Sequence, residues 1–291
     1  MFSWDFLFQP AGFDIGETGL LAYEASQPVW RALAAGLGNT LRVSLPALCL
    51  ATVLGLLLAL GRGSASRSWR VLSAGVVDTV RLVPLLLQML IVYLLLVEWL
   101  PPANEALQPL PGVWLSKGGL SFPWPTCPGD DGGAALRWSW PVQDTFNVQG
   151  GAAVTPEFLA VMLALSLYTS AFLAEVFRSG IEAVPASLME AADTLGATRW
   201  QAIRQVLLPQ ALRTIVPAAT NQYLNLVKNS SLAVAVGYPD LVSVGNTTLN
   251  QTGRAVECVL VMMGIYLALS LITSAAMNAF NQRQALKEAL A

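Results

Sequence analysis

Residues 258–282 run for 25 positions without one charged side chain, long enough as a helix to cross the roughly 30 Å hydrocarbon core of a bilayer. In lipid no backbone N–H or C=O can be left to water, so the folds open to such a segment narrow to helices or a closed barrel. Residues 43–60, 82–97 and 158–174 are further uncharged apolar runs, and 214–227 is another whose uncharged sequence resumes at 229–239 beyond Lys228. Together they predict an all-α membrane protein of about five transmembrane helices. Only 12% of the chain is charged, about half the share of a soluble domain. A formal charge of −2 offers no basic surface for phosphates, which excludes nucleic acid as a partner. Histidine is absent, removing the commonest general base and metal ligand, so neither catalytic residues nor a metal site is expected.

The basic residues orient the spans. Arg62, Arg67 and Arg70 follow the first run, Arg178, Arg199, Arg204 and Arg213 follow the third, and Arg283 and Lys287 lie in the tail. The opposite side holds Arg31, Lys117, Arg137 and Arg254. The positive-inside rule therefore puts the N-terminus outside and the C-terminus inside. Residues 1–31 are acidic and broken by Pro10 and Pro28, which does not suit a cleaved signal peptide. The expected organisation is an extracytoplasmic N-terminal segment over 1–40 and a membrane domain over 41–291. The cysteines Cys49, Cys127 and Cys258 are odd in number and lack CxxC spacing. Solitary thiols are the expectation, a Cys127–Cys258 bridge the alternative.

Two connections exceed a turn. Residues 101–156 are rich in Pro, Gly and Trp without helical periodicity, and read as an irregular extracytoplasmic insertion. Residues 181–213 are full of helix signals instead. Ser187 and Glu190 have capping-box spacing, Leu188, Met189, Ala192 and Leu195 share a face, and Gly196 is placed to end the helix. Thr198 and Gln201 repeat the box, followed by Trp200, Ile203, Val206 and Leu207 before Pro209. The prediction is two short amphipathic helices with a bend at Gly196, whose apolar face calls for a covering surface.

Glu190-Ala191-Ala192, three residues, Gly196, nine residues and Val206-Leu-Leu-Pro209 resemble the EAA loop of ABC importer permeases, with Val206 where the pattern has Ile. Arg81-Leu-Val-Pro84-Leu-Leu-Leu-Gln88 and Ala174-Glu175-Val-Phe-Arg178-Ser-Gly180-Ile181 resemble signatures of polar amino-acid permeases, and Lys228-Asn-Ser-Ser-Leu232 and Gly237-Tyr-Pro-Asp-Leu241 those of general L-amino-acid importers. Family members carry an additional hydrophobic span before the Ala11-Gly-Phe-Asp14 segment that this sequence lacks. The resemblance implies a type I importer permease subunit in a bacterial inner membrane. It implies that Glu190, Ala191, Ala192, Leu195 and Gly196 dock on a separate ATPase. The implied partners are two ATPase subunits that bind ATP and Mg, a second permease (a homologue or a copy), a periplasmic amino-acid-binding protein and an L-amino acid; this chain would bind no cofactor itself.

Within the fourth run Asn221, Gln222, Asn225, Lys228 and Asn229 fall in an arc of roughly 120° at 100° per residue. Polar groups are costly against lipid, so this stripe should face the bundle interior or a substrate path, with Lys228 available to a carboxylate; the alternative is interhelical hydrogen bonding alone. Ser230 and Ser231 sit where the run breaks and would free backbone groups to line the path. Asp78, Arg81, Glu175 and Arg178 read as an ion-pair network at the inner interface, and Glu175 is also a candidate counter-ion for Lys228. A stand-alone secondary transporter or channel is the competing function, but it predicts an inverted repeat that the sequence does not display.

Overall fold

The computed structural model describes residues 4–19, 21–126, 137–144 and 147–289; Cys127, and with it the postulated bridge, lies outside them. The chain is mostly helical. Helix α1 spans Val29–Arg62, α2 Arg67–Leu82, α3 Leu85–Trp99, α4 Pro156–Glu182, α5 Ala186–Thr194, α6 Arg199–Ala202, α7 Leu208–Asn229, α8 Leu241–Thr252 and α9 Ala255–Ala289. Three helices are long and apolar enough to cross a membrane, α1, α4 and α9 over 255–279, and a fourth span arises if α2 and α3 count as one. Helix α7 is not among them, because its polar stripe dilutes its apolar face.

Several elements differ from the sequence expectation. Helix α1 begins at Val29, well inside the segment 1–40, since Arg31 and Arg42 interrupt the apolar run without interrupting the helix. The run 82–97 breaks where Val83 turns extended ahead of Pro84, as the residue before a proline is pushed out of the α region. The insertion 101–156 is not irregular but β-structured, so the fold is not all-α. Strands β1 Leu107–Leu110, β2 Val113–Ser116, β3 Gly119–Phe122 and β8 Ala152–Val154 form an antiparallel sheet in the order β1-β2-β3-β8. Two further hairpins pair β4 Trp124–Thr126 with β5 Arg137–Ser139, and β6 Val142–Gln143 with β7 Val148–Gln149. Strands of two to four residues are too short to register a period-2 pattern.

The chain divides into two compact units. The first comprises residues 1–84, 165–231 and 239–291. In it α2 and α8 pack on α1, and α7 and α8 on α9. Gly55 lets α1 approach α4 closely: a Cβ there would stand 2.8 Å from the Leu173 Cβ and 3.1 Å from the Ser170 carbonyl. The N-terminal segment buries Phe6 and Ala11 against Val29, Ala32, Leu33, Leu241, Val244 and Cys258. Asn39, fully buried, ties this segment down, donating to the carbonyls of Glu17 (2.7 Å) and Pro239 (2.9 Å) and accepting the Gly19 N–H (3.2 Å). The second unit comprises 85–164 and 232–238; here Tyr93 donates to Glu157 at 3.2 Å, Phe158 meets Tyr238 edge to face, and Trp114 donates to the Pro141 carbonyl at 3.0 Å.

Exposed apolar side chains cover long helix faces: Leu45, Val53, Leu56, Leu57 and Leu60 on α1, and Val256, Leu260, Met263, Leu267 and Leu271 on α9. A chain folded for water rarely leaves apolar surface of that extent uncovered; acyl chains cover it at no cost.

Candidate functional site

Three groups of residues carry the candidate chemistry, all within the first unit. The first is the loop after α4. Helix α5 starts after Pro185, and Ser187 lies inside its first turn without capping it, so the first expected capping box does not form; proline's fixed φ opens the helix instead. Its C-terminus is a Schellman turn: Ala197 N–H bonds the Ala192 carbonyl and Gly196 N–H the Asp193 carbonyl, each at 3.0 Å, with Gly196 at φ +78°. This 6→1 and 5→2 pairing satisfies the last helix carbonyls and requires the left-handed conformation that glycine adopts without strain. Thr198 then starts α6 with a complete capping box to Gln201. Helix α6 does not end before Pro209. It passes through a π-turn over Ile203–Leu207 directly into α7, so that Pro209, which has no N–H to give to the ladder, follows directly on the turn where the ladder is already irregular. The second short helix is therefore the leading end of α7.

Of the loop residues singled out, Ala192 is buried, while Glu190, Ala191, Leu195 and Gly196 are exposed. Leu195 is 88% exposed and Trp200 68%. Met189 is half-buried and Leu188 exposed, so the expected apolar face is split, its outer part presenting Leu188, Leu195 and Trp200.

The second group is the ion-pair cluster. Glu175 on α4 pairs with Arg62 at the end of α1, with Arg178 (3.1 Å) and with Arg81 of α2 (3.6 Å). Arg62 also reaches Asp78 (3.7 Å), and Arg178 reaches Glu182 (2.6 Å). Arg81 lies over the Phe172 ring, 5.2 Å from its centroid. Three guanidiniums sharing one carboxylate clamp the ends of three helices just ahead of α5. Glu175 is thus taken by arginines and is not the counter-ion of Lys228; Arg62 and Glu182, members of this cluster, carried no sequence signal beyond their charge.

The third group is the polar stripe. Asn221, Asn225 and Lys228 are exposed along one face of α7, and Gln222 and Asn229 are half-buried beside them. Lys228 and Ser231 line a cavity of about 420 Å³ with Val242, Val259, Met262, Met263 and Tyr266, a size suited to a small molecule. Asn221 lines a second cavity, about 520 Å³, with Thr220, Ser274 and Asn278. Among the described residues no carboxylate pairs with Lys228. The break after α7 does not free backbone groups. The chain tightens into a 3-10 helix over Ser230–Val236, with the Ser230 and Ser231 hydroxyls donating back to the Val227 (2.7 Å) and Lys228 (2.8 Å) carbonyls. Ser230 is fully buried and lines neither cavity. Tyr266, Met262 and Met263 escaped sequence reading because they sit in the most apolar run of the chain.

A family model described as "Binding-protein-dependent transport system inner membrane component" matches residues 51–286. The chain is similar to the putative amino-acid ABC transporter permease protein YhdX of Escherichia coli K12, 38% identical over 97% of this chain and 85% of that protein. It is likewise similar to the general L-amino acid transport system permease protein AapQ of Rhizobium johnstonii, 38% identical over 97% and 84%. The glutamate/glutamine/aspartate/asparagine transport system permease protein BztB of Rhodobacter capsulatus is 48% identical over 54% of this chain and 37% of its own. Among solved structures, an amino acid ABC transporter with histidines matches with a TM-score of 0.63 at 24% identity, covering 87% of this chain and 94% of that one. An inward-facing MetNI methionine ABC transporter matches at 0.52 and 19% identity, covering 88% and 94%. These two likenesses concern the fold.

Proposed function

From its membership of the binding-protein-dependent transport system inner membrane component family, to which this chain belongs, we propose that it is the membrane-spanning permease subunit of an ATP-driven L-amino-acid importer in a bacterial inner membrane. The observation that carries the reading is the loop over α5 and α6. It is held in one shape by a Schellman turn and a capping box, yet leaves Leu195 and Trp200 largely uncovered by the described residues. A rigid, exposed apolar knuckle costs free energy in water unless a partner covers it. The partner of this reading is an ATPase subunit, two per importer, which holds ATP and Mg and performs the hydrolysis; this chain supplies no catalytic residue and no cofactor ligand.

The topology of the reading has the N-terminus outside, the C-terminus inside, and five spans formed by α1, the α2/α3 pair, α4, α7 and α9. Helix α7 crosses as the polar one, its stripe of Asn221, Asn225 and Lys228 turned toward a second permease, homologue or copy, so that two subunits enclose the path. Asn229 and Ser231 lie at the end of that stripe. A periplasmic binding protein delivers the amino acid. ATP-driven closure of the ATPases moves α5 and α6, and the cluster of Arg62, Asp78, Arg81, Glu175 and Arg178 passes the displacement to the ends of α1, α2 and α4.

The test is to purify the chain from its native membranes in mild detergent, identify what accompanies it, and follow ATP hydrolysis on addition of amino acid with binding protein. An ATPase and a second permease in the eluate, with hydrolysis stimulated by loaded binding protein, is the expected result. A chain that purifies alone and moves amino acids in liposomes without ATP overturns the reading in favour of a stand-alone transporter.

A further inference from the structure

Asp240 is the only charged residue buried among the described residues, with no exposed surface at all. Its carboxylate accepts the Ser243 backbone N–H at 2.8 Å and the Tyr266 hydroxyl at 3.4 Å, and no cation among the described residues faces it. An ionised carboxylate withdrawn from water is costly unless paired; the N-terminus of α8, which it caps, offsets only part of that. The Tyr266 hydroxyl also meets the Ser230 and Thr40 side chains, while its ring lines the cavity that holds Lys228. The Tyr266 side chain therefore reaches from the cavity wall to the buried carboxylate.

The cavity itself is chemically incomplete for an amino acid. Its one charged lining residue is Lys228, its polar remainder is Ser231 and Tyr266, and the rest is Val242, Val259, Met262 and Met263. A zwitterion brings a carboxylate, which Lys228 can take, and an ammonium, for which no lining residue offers an anion. We propose that Asp240 is that anion: when the Tyr266 side chain turns aside, the carboxylate accepts the α-ammonium of the passing amino acid, and the pair Lys228 and Asp240 selects zwitterions. The proposal rests on the substrate-path reading of Lys228. Its chemistry is plain pairing. The ammonium replaces the tyrosine hydroxyl as the donor to Asp240, and its positive charge stabilises the ionised carboxylate, for which the resting fold provides no cation among the described residues.

Asparagine and serine cap helices as aspartate does, so Asp240→Asn and Asp240→Ser keep the structural role and remove the charge. The assembled importer, without binding protein, is placed in nanodiscs, and equilibrium binding of each of the twenty L-amino acids is measured. L-lactate and L-2-hydroxyglutarate serve as the deaminated counterparts of L-alanine and L-glutamate. The expected result is that both variants assemble, lose at least about tenfold in affinity for the amino acids, as expected for a lost charge-assisted bond, and keep wild-type affinity for the hydroxy acids. Lys228→Ala should weaken both ligand classes. Variants that bind amino acids as the wild type does, or capped variants that fail to assemble, overturn the role of Asp240 and leave the path reading standing. Unchanged binding in Lys228→Ala, or a wild-type importer that binds none of the twenty, overturns the path reading and this proposal with it.

Discussion

Replacing Gly196 by alanine isolates one physical quantity. The residue sits at φ +78°, and a Cβ built on it meets no atom within 4 Å. The substitution therefore introduces no clash, and its whole cost is that of holding an L-residue in the left-handed region, about 1–2 kcal/mol. The turn is at the surface, and the chain avoids that cost by opening the two 3.0 Å Schellman bonds from Gly196 and Ala197. The ratio of bent to open loop then falls about 5- to 30-fold. A docking partner that accepts only the bent form loses affinity by as much as that factor, in full once the open form predominates. The assay is a titration of the purified permease pair with its ATPase, read alongside thermal unfolding. Gly196→Ala should weaken docking, by at most about 30-fold, with the melting temperature unmoved, because the core of the unit is untouched. Gly196→Asn, which tolerates left-handed φ far better, should stay close to wild type. Equal docking by glycine and alanine, or equal damage from alanine and asparagine, would refute the claim that the bend is what the partner reads.

Two further substitutions test the packing that carries the site. Asn39→Ala takes the partner from the half-buried Glu17 and Pro239 carbonyls and from the exposed Gly19 N–H; because water can reach these groups in part, a loss of about 1–2 kcal/mol is expected, read as a lower melting temperature and faster proteolysis near residue 19. A wild-type melting profile would show that these bonds do not hold the N-terminal segment. Gly55→Val drives a side chain into the Leu173 Cβ and the Ser170 carbonyl, and since backbone cannot yield as a side chain does, about 1–3 kcal/mol of overpacking is expected; unaltered thermal stability would sink the close crossing of α1 and α4.

What was legible in the sequence is what rests on local rules. Thr198 and Gln201 specify their capping box within four residues, and Gly196 marks its own turn, because both depend on side chains and φ values that no distant partner sets. The apolar runs were legible for the same reason, their length being compared with the thickness of a bilayer. The rest depended on partners far along the chain. Arg42 looked like the end of a span until Glu17, 25 residues away, neutralised it, which lets α1 extend back to Val29. Glu175 had several basic candidates, and the crossing of α1 and α2 with α4 chose Arg62 and Arg81 over Lys228. Asp240 was hidden as an ordinary loop acid, since only the folded unit brings Tyr266 of α9 over it.

The continuity of α6 with α7 changes what the loop and the stripe are to each other. Read as separate pieces, a docking helix ending at Pro209 and a polar span beginning near residue 214 would need a flexible joint, and displacement at the one would be lost before the other. In the structure a single helical rod runs from Arg199 to Asn229, about 45 Å at 1.5 Å per residue, with Trp200 exposed at one end and Lys228 at the other. Such a rod carries a displacement from end to end except where its hydrogen-bond ladder is interrupted. That happens at the π-turn over Ile203–Leu207 and at Pro209 and Pro217, neither of which can donate to the turn before it. Between Pro217 and Asn229 the ladder has no further proline, so Asn221, Asn225 and Lys228 must move as one body. A path built on that face would open or close by rotation of the whole stripe against α9, the helix that carries Tyr266.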